Sequence, residues 1–164
     1  MKSICTNLVA VATLFALQAS GQAFAKQLPP TSVDTTPFII AANSAFYACT
    51  FDLQVQYNGK GGSLALPGGR FTSVAISPGF TATLTNVQKP ENSLTMSLTG
   101  TIRASVDSYG TTTYMATGRN LLGDPTTGLV VAIGDFSFAF DSSGNLVKTL
   151  SGKGRLLPVC PMVE

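Results

Sequence analysis

From Phe51 onward the chain alternates apolar and polar residues with a period of two. Phe51, Leu53, Val55 and Tyr57 alternate with Asp52, Gln54 and Gln56, the pattern of a strand with one wet face. Asn58-Gly59 is a strong two-residue turn signal, so Gly59-Lys60-Gly61-Gly62 is expected to form a hairpin turn. Arg70 to Ser77 reads as a further strand ended by Pro78-Gly79. Phe80, Ala82 and Leu84 then alternate with Thr81, Thr83 and Thr85, up to a turn at Lys89-Pro90-Glu91-Asn92. Leu94, Met96, Leu98, Ile102, Ala104 and Val106 carry one face of a long strand, with Gly100 as its bend or bulge.

Turns at Asp107-Ser108-Tyr109-Gly110 and Asp124-Pro125-Thr126-Thr127-Gly128 separate strands at Thr111–Thr117 and Leu129–Ile133. Phe136, Phe138 and Phe140 alternate with Ser137 and Ala139. Asp141-Ser142-Ser143-Gly144-Asn145 is a hairpin loop with glycine available for positive φ. Leu146–Leu150 and Arg155–Val159 complete the set. Eight or nine strands joined mostly by short turns predict an all-β fold, a single antiparallel meander. Closure into a small β-barrel would dispose of its edges. A β-sandwich is the alternative.

The first 50 residues follow another pattern. Residues 1–25 have the layout of a signal peptide: Lys2, an apolar run from Ile4 to Leu17, and Ala23-Phe24-Ala25 at the cleavage edge. That run is too short and too interrupted for a comfortable membrane span. Residues 26–44 read as a flexible leader, rich in Pro, Thr and Ser at its start. Within it Thr36-Pro37 resembles an N-cap followed by proline at the first helical position. A short helix through Asn43 is therefore expected, with Phe38, Ile39 and Ala42 to bury. Residues 45–164 form the exported β domain.

Cleavage after Ala25 leaves 139 residues, enough for one domain with a real core. Of the cysteines, Cys5 falls in the signal, and Cys49 and Cys160 remain. In an oxidising compartment these form one disulfide, which stabilises the fold by about 4–5 kcal/mol in the chain-entropy view. It would join the start of the first strand to the end of the last, where a meander closes.

Only 11% of residues are charged, with nine basic against eight acidic residues after Ala25 and no run of either sign. A nucleic-acid partner would call for a basic face, and membrane insertion of the mature chain is not expected. There is no histidine, which removes Ser-His-Asp and Cys-His catalysis and the commonest zinc ligand. No Gly-x-Ser-x-Gly elbow or Ser-x-x-Lys pair occurs. Gly59-Lys60-Gly61-Gly62 lacks the first glycine and the Lys-Ser/Thr ending of a phosphate loop. Asp52 and Asp135 lie beside strands and offer a carboxylate pair only if they face one cleft. The Asp141 loop lacks the remaining ligands of a calcium hand. No catalytic residue, metal or cofactor is implied.

The least ordinary stretch is Thr117 to Pro125. Arg119, Asn120 and Asp124 could offer a fork of donors and an acceptor at one rim, and they are the candidate ligand-binding residues. Phe136, Phe138 and Phe140 raise the idea of an apolar cavity, although they serve equally as core filling. The strings LPGGRFTS, SPGFTATLTN, ATGRNLL, IGDFSFAFDSSGNLV and LSGKGRLLPVC resemble a group of small secreted proteins of bacteria and fungi with no assigned activity. The resemblance covers nearly all of Cys49 to Cys160 and implies an exported β domain, without a mechanism.

The expected function is that of a secreted, extracellular, non-enzymatic binding or interaction protein, an effector directed at a host or cell surface. Its partner is an unidentified extracellular molecule or a small apolar ligand. One alternative is a small-barrel enzyme of isomerase or cyclase type acting on an apolar small molecule. The other is a structural coat or matrix protein.

Overall fold

The computed structural model describes residues 30–44, 49–66 and 70–164. The expected signal peptide and the first residues of the leader lie outside these. The strands are β1 Thr31–Ser32, β2 Phe38–Ile40, β3 Leu53–Asn58, β4 Lys60–Ala65, β5 Ser73–Ile76, β6 Thr81–Asn86, β7 Ser93–Ser97, β8 Thr101–Val106, β9 Thr112–Asp124, β10 Gly128–Phe140 and β11 Leu146–Pro158. All pairings are antiparallel. They make a seven-stranded sheet, β1-β4-β5-β8-β9-β10-β11, and a four-stranded sheet, β2-β3-β6-β7.

The two sheets share their strands. β4 pairs with β5 while β3 pairs with β6, and β5 pairs with β8 while β6 pairs with β7. The segments β3–β4, β5–β6 and β7–β8 are thus the halves of three long strands, each passing from one sheet into the other. With β9, β10 and β11 they form the expected meander. The expected closed barrel is not formed: among the described residues β7 and β11 each pair on one side only.

Asn58-Gly59 is a corner and not the expected hairpin turn, because β3 and β4 do not pair with each other. Gly59 has φ of 116°, and a Cβ there would come 2.4 Å from the Gly79 carbonyl oxygen. Only glycine lets the two backbones approach this closely while bending. Gly79, Gly100 and Gly118 continue a line across the meander, with Gly118 close to Gly100. Gly118, Gly134 and Gly154 then lie directly opposite one another in β9, β10 and β11. Gly134 has φ of 136°, and a Cβ on it would meet the Lys153 carbonyl oxygen at 2.3 Å. The line of glycines is the crease along which the sheet bends.

The helix expected from Thr36 to Asn43 is instead the strand β2, followed by a turn in which Asn43 takes φ of 55°. β2 pairs with Leu53–Val55 of β3. Phe38 and Ile40 pack against the core while Ile39 is 60% exposed, the alternation of a strand. An unpaired edge on β3 competes with the helical option and prevails. Pro37 sits just ahead of β2, where its missing N–H costs nothing.

The main core packs Leu53, Val55, Ala82 and Leu84 of the four-stranded sheet against Leu121, Leu129, Val131, Val159 and Val163. Burying each large side chain contributes about 1.5–3 kcal/mol. A second cluster on the other face of β9 and β10 holds Ala116, Leu122, Val130, Ala132 and Phe136. The Cys49–Cys160 disulfide is formed, with Cα atoms 5.3 Å apart across a separation of 111 residues. It points to an oxidising environment. Among the described residues no helix is long and apolar enough to cross a membrane.

Candidate functional site

The crease opens a pocket of about 290 Å³. Its walls come from the first four strands of the meander: Tyr57 at the end of β3, Gly61 of β4, Phe80 and Leu98 at the corners, Ile102 of β8, and Asn120 and Leu121 of β9. Residues 31–34 of the leader form its rim. The Tyr57 and Phe80 rings lie 5.0 Å apart, and Phe38 stands 5.7 Å from Tyr57 on its other side. An aromatic file thus braces one wall.

Asn120 is the buried polar group of this pocket, 8% exposed. Its amide lies directly over Gly100, where a Cβ would approach it to 2.3 Å. Asn120 Nδ2 donates to the Thr117 carbonyl at 3.0 Å, leaving Oδ1 as the open acceptor among the described residues. A buried amide costs free energy unless its polar atoms are satisfied. At the rim, exposed Asp34 accepts a hydrogen bond from the Thr36 N–H at 2.8 Å. Hydrogen bonds from the Thr36 backbone and then its side chain hold the Asp34 carboxyl below its ordinary value. The rim therefore carries a negative charge at neutral pH.

The three residues singled out in the sequence are not gathered into one site. Asn120 enters the pocket, while Arg119, its neighbour along β9, is exposed and points to the opposite face. Asp124 lies four residues further, about 13 Å along the strand. Its Oδ2 accepts bonds from the Thr127 N–H at 2.9 Å and hydroxyl at 2.6 Å, closing the β9–β10 turn. Asp52 accepts a bond from the Ala42 N–H at 2.8 Å, and Asp135 is exposed on β10. Asp141 binds the amides of its own loop.

Phe136 is core filling, whereas Phe138 stacks on Tyr114 at 5.1 Å with Phe140 edge-on to both. None of the three lines the crease pocket. Burial pushes the Tyr114 phenol above its ordinary value. Among the described residues no group of three or more Cys, Asp or Glu side chains is placed to hold a metal ion. The period of Tyr57, Phe80, Leu98 and Ile102 places them on strand faces. Nothing local in the sequence marks them as pocket walls.

Comparison of the chain with known protein families, curated proteins and solved structures finds no match to any of them.

Proposed function

We propose that the protein is a secreted, non-enzymatic binding protein that takes a small, largely apolar, uncharged molecule into the crease pocket. The observation that carries this reading is the wall of Tyr57, Phe80, Leu98, Ile102 and Leu121 around one buried amide, Asn120. Pockets for small molecules are built in this way, apolar walls with a few placed polar groups. The volume lies just below the usual range of about 300–1,000 Å³, so the ligand is small. Asn120 Oδ1 would accept a hydrogen bond from a ligand hydroxyl, and the Asp34 charge at the rim disfavours carboxylates. The meander behaves in this reading as an open barrel, with the pocket in the crease in place of a central cavity. The disulfide and the signal-like residues 1–25 support export.

Fluorescence titration with 2-naphthol, a neutral bicyclic molecule with one hydroxyl, tests the proposal. Ile102→Trp, which fills the pocket, is expected to abolish binding. Asn120→Leu is expected to weaken it about fivefold, the value of one hydrogen bond. Binding that survives Ile102→Trp unchanged would overturn the reading.

A further inference from the structure

Antiparallel pairing gathers cations that the sequence scatters. Residues directly opposite one another in paired antiparallel strands share a face. One row across β9, β10 and β11 is Arg119, Ile133, Arg155. Beyond the glycines, the next row on that face is Thr101, Thr117, Asp135, Lys153. The row after it is Arg103, Met115, Ser137, Ser151. Lys148 reaches the same face, donating from Nζ to Ser137 Oγ at 2.7 Å. Arg119, Lys148, Lys153 and Arg155 are exposed, and half-buried Arg103 has its guanidinium 5.9 Å from the Phe71 ring centre.

Five of the nine basic residues after Ala25 therefore share one sheet face. The carboxylate in these rows is Asp135. Asp107 and Asp141 lie in the hairpin turns at the far end, where backbone amides of their own turns occupy their oxygens. The pocket of the crease shares none of these cations.

We propose that this face of β8 to β11 binds a linear anionic polysaccharide. The two arginines that flank Ile133 sit two strand spacings apart, about 10 Å, a separation suited to charges repeated along a sugar chain. Guanidinium groups pair in a bidentate way with carboxylate and sulfate alike. The hydroxyls of Thr101, Thr117 and Ser151 lie between the cations, where sugar hydroxyls would meet them. These rows hold no aromatic ring on which a nucleic-acid base would stack. Their apolar members, Ile133 and Met115, are half-buried, so they offer little to a bilayer.

The test is binding of the disulfide-bonded protein to immobilised polygalacturonate and dextran sulfate at low salt, the two arms separating carboxylate from sulfate. Neutral dextran, a DNA duplex and phosphatidylglycerol vesicles run beside them. Combined Arg119→Ser, Lys153→Ser and Arg155→Ser is expected to weaken binding to the charged polysaccharides by about tenfold or more, leaving 2-naphthol affinity unchanged. Arg119→Lys with Arg155→Lys, which preserves the charge, is expected to retain most of the binding. So is Lys60→Ser with Lys89→Ser, which removes two cations elsewhere. The proposal is overturned by absence of binding to both charged polysaccharides or by a triple variant that binds like the parent. Equal losses in all three variants, or tighter binding of the duplex or the vesicles, overturn it too.

Discussion

Gly100 and Asn120 act as one unit, since the amide of Asn120 occupies the space a Cβ on Gly100 would need. Gly100→Ala is expected to destabilise the protein by about 1–3 kcal/mol in urea unfolding, the usual cost of overpacking. Shortening Asn120 to Ala in the same chain is expected to recover part of that loss, a coupling a double-mutant cycle measures. Tyr114 gives a second test. Burial disfavours its phenolate, so its pKa rises above the ordinary 10.0 in the folded state. That contribution to stability is complete below the unfolded value and is lost as pH rises above it. Ultraviolet titration should show a late-ionising component that Tyr114→Phe removes. At this scale the sequence supplied residue types without neighbours. Asn120 is a candidate in the sequence only beside Arg119 and Asp124, whereas its contact with Gly100 joins two separate strands. The rim of Arg119, Asn120 and Asp124 was drawn from proximity along the chain, and strand alternation separates the first two.

Local chemistry specified the hairpins well, and the Asp141 loop shows why. Its carboxyl is held below the ordinary value first by the Asn145 side-chain amide, then by the Asn145 and Ser143 N–H groups. A depressed folded pKa means a stabilisation present above the unfolded value and lost as pH falls through the folded one. The amide resonances of Ser143 and Asn145 should therefore titrate together below pH 3.8, and Asp141→Asn should abolish that titration. Corners were less legible than hairpins. Asn58-Gly59 is read as a two-residue turn because both structures require glycine, and only the pairing of β3 with β6 tells them apart. The short helix expected in the leader gives way to β2 for a related reason, since Thr36-Pro37 suits a helix start as well as the approach to an edge strand. The glycine row of β9 to β11 gives the element-scale prediction. Gly134→Val combines an unfavourable positive φ with a clash against the Lys153 carbonyl, at an expected cost of about 2–6 kcal/mol, read from denaturant midpoints.

At the level of the molecule, class and covalent linkage were legible and tertiary arrangement was not. Period-two alternation predicts β structure wherever it occurs, and two cysteines allow one intramolecular bond. Whether the meander closes depends on how far each strand bends, which no single segment states. The face of five cations is not legible in the sequence because register, and not sequence spacing, brings Arg103 two strands from Ser137 and Arg119 two strands from Arg155. Replacing Cys49 and Cys160 by Ser is expected to cost about 4–5 kcal/mol, measured as a lowered urea midpoint that reductant no longer shifts. The same bond decides how the protein bears tension. A pull on the two ends of the chain can peel β1 and β2, which precede Cys49, from β4 and β3, but it then reaches the sulfur bridge, so the load bypasses the 111-residue span between the cysteines. About 380 Å of contour length is withheld from extension until the bridge is reduced, and a protease cut within that span leaves both pieces on one tether.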